Sequence, residues 1–331
     1  MSSIVGVLAE LENSKLKLAN AGMIRLALEN NPAELYAIVI NAKNSSINLE
    51  LAQFGVEKVI HIALPEDQAN NPDIISRAVI DTIAHFSLTS LFGLATSAGK
   101  DILPRIAALM DAPLVMDCLD VDLKKMTAKK SQYSGKTSAT IRVSGDVSLF
   151  GMRPNAIKPK KKQVEIQSLE HNPGPIEEQG LSVVKIGASS QEAKISLAEA
   201  DVIVSGGRGM KNSDNFKLLS QCAKLLKGAV GASRAAVDSG WVPYAMQIGQ
   251  TGEKVSPKVY LACGISGSMQ HYAGMKTAGM IIAINTDENA AIITNCDYYA
   301  RSDVLELIPE IIRLITRKRS QGTESAALPS L

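Results

Sequence analysis

The chain has 331 residues, of which 46% are hydrophobic, so it is long enough for a sizeable core and for two domains. Its 35 Lys and Arg residues nearly balance its 33 Asp and Glu residues, so no overall charge attracts it to nucleic acid or to a membrane surface. Aromatic residues make up only 4% of the chain, which disfavours stacking surfaces for single-stranded nucleic acid. This composition also excludes long disorder and a small disulfide scaffold.

The four cysteines are scattered and form no Cys-x-x-Cys pair, so the sequence predicts no metal site and fits a reducing compartment. No apolar run approaches the roughly 20 residues of a membrane-spanning helix. Residues 1–3 lead directly into an apolar stretch without the layout of a signal peptide. We therefore expect a cytoplasmic protein that does not insert into a membrane.

The first half of the chain alternates short apolar runs with stretches of helical spacing. Strands are predicted at residues 4–8, 35–40, 58–62 and 90–94, and helices at residues 15–28, 47–54, 74–85 and 101–110. This alternation predicts a doubly wound, mostly parallel sheet with helices on both faces. The runs that follow predict an antiparallel extension of that sheet, and they lie at residues 113–123, 137–143 and 145–154.

A domain boundary is predicted near residue 190. Residues 183–186 are predicted as the last strand of an N-terminal α/β domain over residues 1–190, and residues 187–190 as a linker. The second domain, over residues 191–331, repeats the β-α alternation and predicts a second parallel sheet. Its strands are predicted at residues 202–205, 229–233, 258–263, 280–284 and 292–295, and its C-terminal amphipathic helix at residues 303–317.

Two segments resemble catalytic sequence motifs but depart from them. Residues 93–100, GLATSAGK, resemble a phosphate-binding loop, but the loop is one residue too long and Asp101 replaces the Ser or Thr that binds magnesium. Residues 264–268, GISGS, resemble a nucleophile elbow in which the second glycine is displaced. Neither segment predicts a catalytic residue.

Small and polar residues follow four predicted strands of the second domain. They lie at residues 205–209, 231–234, 263–268 and 285–287. Because ligands of doubly wound sheets bind at the carboxyl ends of the strands, these loops indicate a large anionic ligand such as a dinucleotide. The residues alone do not decide between a ligand site and a set of ordinary surface loops.

Four strings in this region occur in a specific order and spacing. They are VSGGRG at residues 204–209, GASRAAVD at 231–238, QIGQTG at 247–252 and ACGISGSMQHYAGM at 262–275. Together they closely resemble the alpha subunit of electron transfer flavoprotein. The resemblance extends more weakly into the first domain, through GKDILPR at residues 99–105 and MRPN at residues 152–155.

The resemblance implies an electron carrier that has no catalytic residues of its own. The family's alpha subunit holds FAD in its C-terminal domain and forms a heterodimer with a beta subunit, which binds AMP or a second FAD. Such heterodimers accept electrons from acyl-CoA and related dehydrogenases in fatty acid oxidation and pass them to a quinone reductase or another acceptor. The N-terminal domain is expected to pack on the beta subunit.

The resemblance also implies roles for individual residues. Arg208 and the turn formed by Ser266, Gly267 and Ser268 match contacts to the FAD diphosphate and ribityl chain. Ser233 and Arg234 match residues against the isoalloxazine ring, where the fixed charge of Arg234 favours a negatively charged reduced flavin. The remaining matched residues are expected around the same cofactor, namely Gln247, Ile248, Gly249, Gln250 and Thr251, then Met269, Gln270 and His271, and finally Asn285, Asp303 and Val304.

Within that set, Thr251 is expected near flavin N5, and His271 near flavin N1 and C2=O as a group that titrates near neutrality. Asn285, Asp303 and Val304 match contacts at the adenosine end. The chain departs from the family there, since Thr286 stands where lysine is common and Tyr299 where glycine is usual.

Two other classes of protein remain as alternatives. A stand-alone enzyme that binds NAD on a similar sheet would need its own catalytic base, and only His271 of the four histidines lies in the glycine-rich cluster. A nucleotide-binding regulatory protein is supported only by the general α/β pattern of the first domain.

Overall fold

The computed structural model describes residues 3–12, 14–41, 45–66, 68–132, 137–176, 181, 183 and 196–320. Its contacts divide the chain into two compact units, residues 1–190 and 191–331. The predicted linker at residues 187–190 and all but Val183 of the predicted strand before it lie outside the described residues.

The N-terminal unit is built on one sheet of nine strands with four helices among its described residues. In chain order its elements are β1 (Ile4–Leu8), β2 (Leu11–Glu12), β3 (Lys15–Leu16), α1 (Ala19–Glu29), β4 (Glu34–Ile40), α2 (Ser45–Ala52), β5 (Lys58–Ile62), α3 (Pro72–His85), β6 (Ser90–Leu94), α4 (Ser97–Met110), β7 (Leu114–Asp122), β8 (Thr127–Gln132), β9 (Thr137–Arg142), β10 (Ser148–Met152) and β11 (Gln167–His171). The strand order is β11-β5-β4-β1-β6-β10-β7-β8-β9, while β2 and β3 form a separate small ribbon.

The predicted antiparallel extension is confirmed only in part. Strands β7, β8 and β9 do pair antiparallel, but β10 pairs parallel with both β6 and β7 and lies inside the sheet. Every residue of β10 is buried, as expected for a strand covered on both faces. The first predicted helix starts later than expected, at Ala19, because Lys15–Leu16 pairs with Leu11–Glu12 instead.

The C-terminal unit contains a five-stranded parallel sheet. Its elements are β12 (Val202–Gly206), α5 (Phe216–Leu225), β13 (Ala229–Ala232), α6 (Arg234–Asp238), β14 (Val259–Cys263), α7 (Met269–Met275), β15 (Ile281–Asn285), β16 (Tyr298–Arg301) and α8 (Val304–Ser320). The strand order is β13-β12-β14-β15-β16, and all four pairings are parallel.

The prediction of a strand at residues 292–295 is wrong. Ile293–Asn295 forms a 3₁₀ turn, and the fifth strand is β16 instead. Ile292 is fully buried in the core of the unit, so its apolar character reflects packing rather than strand pairing. The C-terminal helix α8 begins at Val304 and runs through Pro309.

Both large sheets contain a topological switch point among their parallel strands, where the chain changes the direction in which it adds strands. It lies between β1 and β6 in the N-terminal unit and between β12 and β14 in the C-terminal unit. Ligands of such sheets bind outside the carboxyl ends of the strands at this place.

Candidate cofactor site

An open cleft of about 700 Å³ lies at the carboxyl ends of the C-terminal sheet. This volume is in the range of ligand pockets. The cleft is formed by the loops after β12, β13, β14 and β15 together with the loop that precedes β14. Its wall includes most of the predicted site residues, namely Arg208, Ser233, Arg234, Gln247, Ile248, Gly249, Gln250, Thr251, Ser266, Gly267, Ser268, Gln270, His271 and Asn285.

The loops after β12 and β14 approach each other so closely that only glycine fits. The backbone N–H groups of Gly207 and Gly209 donate to the carbonyls of Cys263 and Gly264, at 2.9 and 3.1 Å. A Cβ atom at Gly209 would lie 2.7 Å from the Gly264 Cα, and Gly264 itself has a φ of +60°. Glycine therefore permits both the contact and the backbone conformation.

The next turn of the same loop also depends on glycine. Gly267 has a φ of +77°, and a Cβ atom there would lie 2.4 Å from the Ile292 nitrogen. Ser268 follows as the N-cap of α7, and its Oγ accepts a hydrogen bond from the His271 backbone N–H. Ser268 thus serves as a helix cap rather than as a nucleophile activated by a base.

The segment from Gln247 to Thr251 is fixed by hydrogen bonds on both sides. The Ile248 N–H donates to the Ala232 carbonyl at the end of β13, and the Gln250 N–H donates to the Gln270 carbonyl in α7. The Gln247 side-chain amide donates to the Thr251 hydroxyl over 2.9 Å. The Thr251 hydroxyl therefore lies on the cleft wall in a defined position.

Two arginines supply positive charge to the wall. Arg208 is exposed in the turn after β12, and Arg234 opens α6 with Ser233 as its N-cap. The Nε of Arg234 lies 3.2 Å from a carboxylate oxygen of Asp238, which also lines the cleft. Because both side chains are more than 60% exposed, this pairing weakens the local charge without neutralising a buried group.

His271 is a buried member of the wall. Its ring Nε2 lies 2.8 Å from the hydroxyl of Tyr260, a fully buried residue of β14. Desolvation lowers the pKa of His271 to about 4, although the Ile248 carbonyl favours the charged ring. The expectation that His271 titrates near neutrality is therefore wrong for this chain, and its ring is neutral at pH 7.

The end of the cleft near β15 explains one departure from the family pattern. Asn285 donates from its side-chain amide to the Ile265 carbonyl and accepts from the Asp287 N–H. The Tyr299 hydroxyl donates to the Asn285 carbonyl over 3.2 Å, and its ring packs against the core of the unit. Tyr299 thus supports the residue that lines the cleft, whereas Thr286 is exposed.

Three predicted residues do not lie on the cleft wall. Met269 is half exposed at the start of α7. The Asp303 carboxylate accepts from the Leu305 N–H and pairs with Lys211, so it caps α8. Val304 is buried in the core beside that helix. Capping and core packing account for Asp303 and Val304, and the cofactor contacts expected for the three residues stay predictions.

Other wall residues had no individual role predicted from the sequence, although five of them lie in the loops predicted to face a ligand. They are Gly207, Gly209, Ala235, Asp238, Gly264, Ile265, Asp287 and Ala290. Several of them stand inside the recognised strings, so their positions were visible in the sequence. They line the cleft because backbone loops lie close together there and because Asp238 pairs with Arg234. Neither feature can be read from the residue strings alone.

The switch point of the N-terminal unit is filled by its own side chains. The Thr96 hydroxyl and the Lys17 ammonium both donate to the Glu10 carboxylate, and the side chain of Asn20 bonds to the backbone of Glu10. Thr96 also caps α4, the helix that begins in the segment resembling a phosphate-binding loop. A carboxylate of the chain thus lies beside the start of this helix, the end at which anions bind in such loops.

The C-terminal cleft fits a dinucleotide in several independent respects. Its floor is glycine backbone, its wall carries two arginines, and the buried Nδ1 of His271 has no hydrogen-bond partner among the described residues. The described residues contain no cluster of three His, Cys, Asp or Glu side chains that could hold a metal ion. Fold and site together define an α/β protein with a dinucleotide site at the switch point of its second sheet.

Comparison with known proteins identifies the family. The sequence model of the electron transfer flavoprotein FAD-binding domain matches residues 196–276, and that of the electron transfer flavoprotein domain matches residues 5–174. The chain therefore belongs to the electron transfer flavoprotein alpha subunit family. This result confirms the resemblance found in the sequence and the predicted fold class.

The relatives are similar over almost their whole length. The electron transfer flavoprotein subunit alpha of Pseudomonas aeruginosa is 35% identical over 312 residues, covering 93% of this chain and 99% of that protein. The corresponding subunit of Bacillus subtilis is 33% identical over 319 residues, covering 93% and 96%. Protein FixB of Clostridium saccharobutylicum is 33% identical over 316 residues, covering 92% of each chain. No helix in the described ranges is long and apolar enough to cross a membrane.

Proposed function

We propose that this chain is the FAD-carrying subunit of an electron carrier that works as a heterodimer with a beta subunit. FAD bound in the cleft would supply reversible uptake and release of electrons. The chain itself would bind FAD, orient it and adjust its reduction potential. The carrier would accept electrons from dehydrogenases such as acyl-CoA dehydrogenases and pass them to a quinone reductase or another acceptor.

The observation that carries this proposal is the cleft at the second switch point. Backbone groups of the two glycine loops lie beside Arg208, a combination suited to a diphosphate. The segment from Gln247 to Thr251, together with Arg234 and His271, forms the remaining polar wall. A dinucleotide with an electron-accepting ring would use both parts of the cleft.

The wall residues would favour reduced flavin without chemical catalysis. The guanidinium of Arg234 stays charged at any working pH, so it favours negative charge on a nearby ring. Ser233, Thr251 and the buried His271 add hydrogen-bonding groups to the same wall. These groups would therefore raise the reduction potential of the bound cofactor.

The proposed carrier includes a beta subunit as the partner of this chain. The relatives from Pseudomonas aeruginosa and Bacillus subtilis are named as alpha subunits, and the wide mouth of the cleft leaves a bound ring open to a partner. We propose that the beta subunit covers this mouth and carries AMP or a second FAD. A cytoplasmic location is proposed because the scattered cysteines fit a reducing compartment.

An absorption spectrum tests the function. The full chain should be co-produced with the product of a neighbouring beta-subunit gene, purified, and reduced stepwise without oxygen. We expect a yellow one-to-one heterodimer whose bound flavin takes up electrons reversibly. A colourless chain that purifies alone and binds NAD would contradict the proposal and favour a stand-alone NAD enzyme. One flavin per heterodimer would indicate simple electron transfer, whereas two would indicate electron bifurcation.

A further inference from the structure

A buried pair of side chains lies behind the polar wall of the cleft. Tyr260 is fully buried in β14, and its hydroxyl is 2.8 Å from Nε2 of His271 in α7. His271 is only 5% exposed, yet it belongs to the cleft wall. Tyr260 does not line the cleft, so any effect it has on a ligand must pass through His271.

The direction of the proton in this pair follows from burial. A buried hydroxyl that donates to nothing is unfavourable, so we expect the phenol of Tyr260 to give its hydrogen to an acceptor. Nε2 of His271 is the one partner in hydrogen-bond geometry that the described residues offer. Burial also raises the pKa of Tyr260, so the phenol keeps its proton and remains a donor.

The neighbouring hydroxyl of Ser205 agrees with this direction. Ser205 is fully buried in β12, and its proximity favours negative charge on the Tyr260 oxygen, as a donor to that oxygen does. Its own Oγ lacks a partner at full hydrogen-bond geometry within the described residues. Because Ser205 Oγ meets hydrogen-bond geometry with no described group, Nε2 of His271 remains the acceptor in place for the phenolic hydrogen.

The proton of the neutral imidazole must then reside on the other nitrogen. Nε2 accepts from Tyr260, so Nδ1 carries the hydrogen and is a donor. Nδ1 is buried and has no partner in hydrogen-bond geometry among the described residues. The Ile248 carbonyl is close enough to favour the charged ring but does not meet hydrogen-bond geometry with Nδ1, so a ligand on the cleft wall can supply the acceptor.

We propose that Tyr260 is a positioning residue that holds His271 as a neutral ring with its proton on Nδ1, ready to donate to an acceptor atom of the cofactor. This inference rests on the proposed function for the identity of the cofactor as FAD. The hydrogen bond from Nδ1 strengthens as the acceptor gains negative charge. Tyr260 thereby favours the reduced cofactor although it does not touch it.

The direct test is nuclear magnetic resonance of the full chain with ¹⁵N-labelled histidine, before and after FAD is added. We expect His271 to show a protonated Nδ1 and an unprotonated Nε2 at pH 7, already without FAD. Tyr260→Phe should lose this preference and give a mixture of tautomers. Tyr272→Phe, which removes a phenol from α7 in the same unit, should keep the wild-type signals.

The second readout is the reduction potential of the heterodimer with FAD bound. Tyr260→Phe should weaken the preference for reduced over oxidised flavin about tenfold, or about 59 mV for a one-electron step. Its flavin content should equal that of wild type and of Tyr272→Phe. A change in flavin content with an unchanged potential would indicate that Tyr260 only supports the fold, and it would overturn the inference.

The outcomes separate this inference from the proposed function. A wild-type His271 that is protonated on Nε2, or on both nitrogens, overturns the inference whether or not the chain binds FAD, and this result needs no variant to fold. A wild-type chain that shows the expected tautomer but binds no flavin contradicts the proposed function alone. In that case the donor at Nδ1 serves a different acceptor-bearing ligand.

Discussion

The two large sheets of this chain each have a topological switch point, but one switch point is open and the other is occupied by side chains. The switch point of the C-terminal sheet opens into a cleft of about 700 Å³. The corresponding place in the N-terminal sheet holds Glu10, which is bonded to Lys17 and Thr96. Topology therefore supplies a possible site twice, and the local side chains decide whether the site can accept a ligand.

The difference also shows what the chain needs in order to keep such a site open. In the C-terminal unit, glycines at positions 207, 209, 264 and 267 let backbone loops approach and leave no side chain in the cleft. In the N-terminal unit, one carboxylate lies beside the start of α4. Substitutions in the open cleft or at the filled switch point test this difference.

The largest effect is expected where two loops meet under the cleft. Gly264→Ala places a Cβ atom 2.7 Å from Gly209 at a φ of +60°, so we expect a loss of about 2–5 kcal/mol of unfolding free energy and of bound FAD. Gly240→Ala is the matched control, because Gly240 has a φ of +72° but open space around it. Denaturant unfolding and flavin absorbance measure both variants. Equal losses in the two variants would show that the contact with Gly209 is unimportant.

The second effect is a dependence of stability on pH. The pKa of His271 is about 4 in the folded chain against 6.5 for an exposed histidine, so the unfolded chain binds more protons between these values. The contribution of this pKa difference to the free energy of unfolding is complete above pH 6.5. About 3 kcal/mol of that free energy is lost as the pH falls toward 4. His271→Gln should flatten this dependence in the FAD-free chain. Unfolding midpoints at pH 7.5, 5.5 and 4 check the result, and parallel curves for wild type and His271→Gln would contradict it.

The third effect concerns the filled switch point. Glu10→Ala leaves Lys17 without this carboxylate and removes an acceptor from Thr96, so we expect a loss of about 1–3 kcal/mol of stability. Flavin content should not change, because the cleft belongs to the other unit. Glu12→Ala, at an exposed position of β2, is the control. A fall in flavin content for Glu10→Ala alone would mean that the first switch point takes part in cofactor binding.

The fourth effect is a shift of reduction potential without a change in stability. Arg234→Ala should lower the potential of the bound flavin, and Asp238→Asn should raise it, since Asp238 weakens the charge of Arg234. A shift of up to about 59 mV corresponds to a tenfold change for a one-electron step. Arg313→Ala, which breaks a similar exposed pair in α8, should leave the potential unchanged. If both cleft variants titrate like wild type, neither charge acts on the flavin.

The smallest effect is expected at Asp303, which the family pattern places at the cofactor but which does not line the cleft. Asp303→Ala should cost about 1 kcal/mol, because it removes the cap of α8. The affinity for FAD should stay at the wild-type value, as it should for the control Asp214→Ala, an exposed residue before α5. An FAD titration that shows weaker binding only for Asp303→Ala would restore its predicted role.

The sequence predicted those parts of the fold whose signal is local. Strands β1, β5 and β6 were predicted to the residue, because each is a short apolar run with clear ends. Strands β8 and β11 were not predicted, since they carry lysine, glutamine and glutamate rather than an apolar run. The insertion of β10 between β6 and β7 depends on pairing between distant segments, which periodicity does not reveal.

The same distinction applies to the site. The recognised strings located the cleft, because its wall is made from four short loops whose residues are adjacent in sequence. They did not predict the state of His271, which depends on burial and on contact with Tyr260 across two elements. Nor did they predict the filled switch point, since Glu10 and Thr96 are 86 residues apart.

Hydrogen exchange of the heterodimer, with and without FAD, tests the central difference between the two switch points most directly. Binding should protect the backbone amides of residues 207–209, 247–251 and 264–268, which line the C-terminal cleft. The amides of residues 10 and 96–99 should exchange at the same rate in both states, because Glu10 already fills that place. Protection of residues 96–99 by FAD, or unchanged exchange in the three cleft segments, would contradict the account.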